Sequence, residues 1–175
     1  NLIPDHLLNN LDTIYVGNFG HLNSKNFDAS YTGSIIFLSI DQKDEKDMIE
    51  DLVHETAHSV EETYKEDLYY DGKLKREFLL KRKKLFQILK DENFEVENYS
   101  FDNIEYDAEF DGFLYAEVTY PFLRSLTTDL FYSPYGATSL REYFANGFEA
   151  YFSDRKMNKL KKISPILLEK IENLL

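Results

Sequence analysis

Cysteine is absent from the 175-residue chain, and histidine occurs only four times, as His6, His21, His54 and His58. Without thiols no disulfide forms, and any bound metal must be held by imidazole and carboxylate. The same absence fits a secreted or a cytoplasmic protein, so it leaves the compartment open. Positive charge is scarce: 20 Lys and Arg stand against 32 Asp and Glu, giving a net charge of −12 and a pI near 4.8. That balance argues against nucleic acid as the main partner. No apolar run approaches the ~18 residues of a membrane helix, so no membrane span is expected. No basic-then-apolar segment opens the chain, so no signal peptide is expected within it. A start at Asn1 rather than Met suits a processed or excised form. Internal repeats and low-complexity tracts are lacking as well.

What is present suffices for a core: 43% of residues are hydrophobic and 15% aromatic. Residues 1–175 read as one domain of α+β class, with a small mixed sheet early and a mostly helical C-terminal half. A short helix is predicted over 4–11, with Pro4 and Asp5 in its first turn. Thr13 to Val16 reads as a strand, 17–33 as a Gly-, Asn- and Ser-rich loop, and 34–40 (SIIFLSI) as the best strand in the chain. The polar stretch 41–46 then leads into a helix in which Met48, Ile49, Leu52, Val53, Ala57 and Val60 recur at helical spacing. Asp47 with Glu50 suggests a capping box at its start.

That helix carries His54-Glu55-Thr56-Ala57-His58. Two histidines four apart project from one helical face, so their imidazoles can share a metal ion. The glutamate beside the first stands where it can take a proton from an activated water. Two histidines that merely border a polar face are the blander alternative. A catalytic zinc needs a third protein ligand and an open fourth position. His6 and His21 lie in predicted helix-end and loop contexts. The extended pattern with a third histidine fails, because position 61 is Glu and position 64 is Tyr. The third ligand is therefore expected to be a carboxylate on a later helix. The 139–153 helix (SLREYFANGFEAYFS), with Leu140, Phe144, Phe148 and Tyr151 as its buried stripe, offers Glu142 and Glu149 on roughly one face. Spacing alone does not choose between them, and Ser139 with Glu142 is itself a capping box. Gly147 in the same helix would let another helix approach closely.

The intervening region changes sign along its length. Residues 73–90 carry eight basic residues and one acid, with Leu74, Phe78, Leu79, Leu85, Phe86 and Leu89 at helical spacing. Residues 91–111 carry nine acids and no Lys or Arg. Both runs read first as solvated faces and loops. The acidic run bordering the substrate cleft, and favouring basic peptides, is the functional variant. Residues 113–131 return to an aromatic helical pattern interrupted at Pro121, and Ser164-Pro165 opens a last amphipathic helix.

The pairing of HETAH (54–58) with Tyr135 and the block Glu142-Tyr143-Phe144-Ala145 resembles the catalytic domain of anthrax lethal factor. It is more similar still to the clostridial Pro-Pro endopeptidases, which are gluzincins. Tyr135 lies seven residues before Glu142, and Phe148 follows in the matching place. The likeness covers the motif helix and residues 135–175, including the stretch from Lys159 through Pro165, and reaches the N-terminal strands only loosely. It implies a zincin-like fold and a zinc metalloendopeptidase, a hydrolase acting on peptide or protein substrates with one Zn2+ per chain. It further implies metal ligands His54, His58 and Glu142, general base Glu55, and Tyr135 as donor to the oxyanion of the tetrahedral intermediate. Secretion is favoured by the likeness alone. Two departures stand out: His58 and Glu142 are much further apart than in those relatives, so about 66–130 reads as an enlarged helical insertion. Asn146 replaces an acid at a position that is not a ligand. Glu61 stands where the relatives carry an aspartate, and could orient a ligand or simply lie on the surface. Strand 34–40, preceding the motif helix, is expected to be the cleft-lining edge that pairs with an extended substrate. The competing class is a catalytically silent binding or toxin-assembly module of the same fold. A purely structural zinc site is disfavoured by the open fourth position. The motifs name no substrate-pocket residue.

Overall fold

Three short runs of β-branched, aromatic and small residues form one mixed sheet in the computed structural model, which describes residues 2–23, 27–153 and 157–175. The strands are β1 (Thr13–Gly17), β2 (Ala29–Thr32) and β3 (Ile35–Ser39). β3 is central, with β1 parallel on one side and β2 antiparallel on the other. Gly33 and Ser34, both at positive φ, close the β2–β3 hairpin, as the right-handed twist of the strands favours. β3 is thus not the edge that its sequence suggested. The stretch expected as a loop, 17–33, instead holds the one-turn helix α1 (Gly20–Asn23) and β2, while residues 24–26 lie outside those described. Ala29 and Ser30 are weak strand formers, and β2 exists through its pairing with β3. The expected helix over 4–11 is only a 3-10 turn, Asp5–Leu8. Beyond it, Asn10 uses its side chain to hold Tyr31 and Ser59 rather than to extend a helix.

The regular elements described after the sheet are all helices, and the overall class is a mixed α/β fold with a small three-stranded sheet. Helix α2 (Glu45–Thr63) packs against β2 and β3. Its N-cap is Asp44, whose carboxylate accepts from the Asp47 backbone N–H at 2.9 Å, so the helix starts earlier than the Asp47–Glu50 pairing implied. Val53, Ala57 and Val60 are buried as expected, whereas Ile49 is 39% exposed. Helices α3 (Lys65–Tyr69) and α4 (Lys73–Asp91) follow. Helix α5 (Ala108–Gly112) runs into a π-helical turn, Phe113–Thr119, and then α6 (Tyr120–Leu126). The break falls at Thr119, a β-branched residue held at φ +66°, and Pro121 opens α6 instead of interrupting a helix.

Helices α7 (Leu140–Phe152), α8 (Met157–Ile163) and α9 (Pro165–Glu172) complete the chain. Phe144 and Phe148 of α7 are buried and Tyr151 half-buried. One apolar cluster extends from Ile3 to Leu174 and takes in Leu74, Phe78, Leu85 and Leu89 of α4, so the enlarged region shares a core with α2, α7 and α9. Among the basic residues of α4, Lys81 and Arg82 depart from the solvated reading. Both are buried on the same face as Phe78 and Leu85. Lys81 donates to the carbonyls of Leu130 and Ile163, and Glu77 accepts from the first N–H groups of α9 at Ile166 and Leu167. No helix of the described residues is long and apolar enough to cross a membrane.

Candidate metal centre

Helix α2 crosses α7, and the crossing brings the histidine pair of one against the glutamates of the other. His54 Nε2 lies 3.0 Å from Glu142 Oε2, and His58 Nε2 lies 3.5 Å from Glu142 Oε1. The ligand atoms of His54, His58 and Glu142 all fall within 4.8 Å of one another. Donors bound to a tetrahedral zinc at ~2.0–2.2 Å stand roughly 3.3–3.6 Å apart, so the trio is set near the spacing a zinc ion requires. Glu142 could have spent its side chain on the capping box. The Ser139 hydroxyl does accept from the Glu142 backbone N–H at 3.1 Å, but the carboxylate faces the imidazoles instead.

Glu149 also meets His54, on the other nitrogen: Nδ1 lies 3.1 Å from Glu149 Oε2. A carboxylate on Nδ1 fixes the ring and keeps that proton, leaving Nε2 toward Glu142. Burial pulls the His54 pKa down, but the hydrogen bonds to Glu142 and Glu149, with the charges of Glu142 and Glu55, push it up to about 10. Burial would raise Glu142, yet its hydrogen bond to His54 and the nearby His58, His54 and Arg141 charges hold it below the usual carboxylate range. A cluster that grips a proton this firmly is one in which carboxylates outnumber cations.

His58 is arranged differently. Arg141 Nε donates to its Nδ1 at 3.0 Å; a guanidinium only donates, so the neutral ring carries its proton on Nε2. Burial, the positive His54 and Arg141 lower His58 to about 3 against the opposing charge of Glu142. Glu61 touches neither histidine. It accepts from the Tyr69 hydroxyl at 2.7 Å and stands 3.6 Å from Arg141 Nε, so any influence on His58 passes through Arg141.

The trio opens onto a cleft of about 810 Å³ bounded by β2, α2, α7 and the segment from Asp111 to Tyr120. Glu55 lines it, accepts from the Tyr31 backbone on the β2 edge, and is lifted by burial, against the pull of His54, to about 7. Tyr135 sits in the 3-10 turn Tyr135–Ala137 with its ring centroid 6.4 Å from that of His54. Burial, then the charges of Glu142 and Asp111, raise its pKa, so the hydroxyl stays protonated. Among the described residues that hydroxyl has no hydrogen-bond partner, in contrast to Tyr106 and Tyr120, which both donate to Asp111. Of the acidic run 91–111, Asp111 alone lines the cleft. Asp28, Asp51 and Glu149 add negative charge from other elements, against Arg141. His6 bonds the Leu174 carbonyl and His21 packs near Phe37, so neither joins the trio. The sequence offered Glu149 only as a metal ligand and Asp111 only as part of the acidic run, and it gave Arg141 no role. No protein-family model, curated protein or solved structure matches the chain.

Proposed function

We propose that the chain is a zinc-dependent metalloendopeptidase of zincin-like fold, of the lethal-factor-like gluzincin kind. The supporting observation is the convergence at one open cleft of the two HExxH imidazoles, Glu142 from a second helix, an unligated Glu55 and an unpartnered tyrosine hydroxyl. His54, His58 and Glu142 would hold the metal. When bound there, zinc supplies an acidified water and a polarised substrate carbonyl.

The chain's own groups do the rest. Glu55 takes the proton of the attacking water and delivers it to the leaving amine, a task suited to a carboxyl poised near neutrality. Tyr135 donates its free hydroxyl to the oxyanion as charge develops. Glu149 keeps Nε2 of His54 turned to the metal side. To hold a metal through Nε2, His58 would carry its proton on Nδ1, the nitrogen to which Arg141 Nε donates, and Glu61, 3.6 Å from that Nε, would be the acceptor left to Arg141. An extended peptide pairs with the outer edge of β2, which takes the role expected of strand 34–40 because β3 is enclosed on both sides. The carboxylates around the cleft favour basic peptides, and a substrate profile indifferent to peptide charge would contradict this.

The test is cleavage of a diverse peptide mixture by the zinc-loaded chain, read by mass spectrometry, beside Glu55→Ala and Tyr135→Phe. Glu55→Ala is expected to bind zinc and cleave nothing. Tyr135→Phe is expected to bind zinc and lose about 10²-fold in kcat, the usual cost of an oxyanion donor. No cleavage by the zinc-loaded wild type would overturn the reading in favour of a binding module.

A further inference from the structure

Arg82 is 1% exposed, on the buried face of α4, and among the described residues no carboxylate pairs with it. Its Nη1 donates to the carbonyls of Ala137 at 2.7 Å and Thr138 at 3.2 Å, and its Nη2 to that of Ser100 at 2.7 Å. The guanidinium lies 3.8 Å over the centre of the Phe110 ring. Asp102 and Asp107 act on it only through space; a buried cation with no direct ion-pair partner is costly, and an apolar side chain of similar volume often packs such a position as well. The position therefore demands something that only a fork of N–H donors supplies.

The demand comes from the bend between Tyr135 and α7. The 3-10 turn uses the carbonyls of Pro134 and Tyr135, and α7 begins with the Ser139 carbonyl accepting from Tyr143. The carbonyls of Ala137 and Thr138 fall between these two ladders, in a stretch where both residues are buried. Buried carbonyls must find a donor, and the planar guanidinium reaches both from one nitrogen while its other nitrogen holds Ser100. Tyr135 stands two residues before this grip.

We propose that Arg82 is a positioning residue for Tyr135: by holding the Ala137 and Thr138 carbonyls it sets the bend that places the Tyr135 ring 6.4 Å from that of His54. Ser100 and Phe110 secure the guanidinium from the other side, so the enlarged region between α2 and α7, which also lines the cleft at Asp111, Tyr115 and Tyr120, reaches the bend after Tyr135 through this side chain. The inference rests on the peptidase reading, with Tyr135 as the oxyanion donor. Arg82 itself contacts neither the cleft nor the trio.

Two variants test it in the full chain. Arg82→Lys keeps the charge and loses the fork; Phe110→Leu keeps the fork and removes the ring beneath it, and serves where Arg82→Lys does not fold. Each is expected to leave zinc affinity and KM near wild type and to lower kcat by about 10- to 100-fold, since displacing a catalytic group by ~1 Å can cost that much. In a Tyr135→Phe background the same change is expected to cost less than about threefold, because the group it positions is already gone. An equal loss in both backgrounds overturns the proposal. Ring-labelled tyrosine NMR separates this from the peptidase reading itself. The Tyr135 signal, identified by its disappearance in Tyr135→Phe, is expected to move in Arg82→Lys or Phe110→Leu while that of Tyr15 on β1 stays in place. A Tyr135 signal that does not move overturns the positioning role even if the chain turns over no peptide.

Discussion

Gly147 lies in the middle of α7, one turn past Glu142, where a glycine lowers helix stability by about 1 kcal/mol relative to alanine. Gly147→Ala would recover that amount if nothing lay opposite. Leu167 of α9 lies opposite: an added Cβ would stand 2.3 Å from its Cδ2 and 2.8 Å from its Cγ. Carbon atoms in good contact sit ~3.5–4.0 Å apart, so the overlap exceeds about 1 Å. Leu167 is itself buried and has no solvent into which to turn. Overpacking of this kind costs about 1–3 kcal/mol, and contact at Cγ as well as Cδ2 places it in the upper part of that range. Subtracting the propensity gain leaves a net loss of about 1–2 kcal/mol. For a chain of this length the midpoint of thermal unfolding then falls by about 3–6 °C. Combining the change with Leu167→Ala gives a second reading. The leucine truncation alone opens a cavity, but in the Gly147→Ala background it also relieves the overlap, so the two changes couple by about 1–3 kcal/mol. A Gly147→Ala variant that unfolds at higher temperature than wild type, or two strictly additive changes, would refute the close packing of α9 on α7.

The remaining predictions concern charge. Burial, with the charges of Asp28 and Asp47, lifts Asp51 to about 6 against its hydrogen bond from Gln42. The native state therefore holds this proton where the unfolded chain has lost it, and the contribution of Asp51 to stability falls as pH rises from about 4 to 6. Asp51→Asn, which keeps an oxygen for Gln42, is expected to stabilise the metal-free protein by about 1–2 kcal/mol above pH 6, allowing for partial solvent screening. The gain should fade toward pH 4 in urea titrations, and a pH-independent difference would contradict it. Arg141 would oppose metal ligation twice, by its charge and by holding His58 in the tautomer that has its proton on Nε2. Arg141→Ala is thus expected to tighten zinc binding several-fold in competition with a chelator, and weaker binding would show that Arg141 supports the site.

The parts of the candidate site that were legible in the sequence are those fixed within one helix. His54, Glu55 and His58 needed only the helical repeat of α2. Glu142 and Glu149 could not be told apart by spacing because both reach His54, one at each ring nitrogen, and that outcome depends on how α7 crosses α2. The motif likeness singled out Glu142, and the geometry gives it the place between the two imidazoles. The strand at 35–39 was legible from its β-branched residues, but its central position was not, since the order of strands depends on β2, whose own residues form strands poorly. Lys81 and Arg82 were hidden by their charge. The available signal was their place in the Phe78–Leu85 repeat, on the face that turns inward.

The most direct test is calorimetric titration of zinc into the metal-free wild type, Glu142→Ala, Glu149→Ala and Glu55→Ala. One equivalent is expected to bind the wild type and Glu55→Ala alike. Loss of an outer carboxylate such as Glu149 typically costs 10–100-fold in affinity, and Glu142→Ala is expected to cost clearly more. Binding that survives Glu142→Ala, or that fails in Glu55→Ala, would contradict a zinc centre built from His54, His58 and Glu142 with Glu55 left free for chemistry.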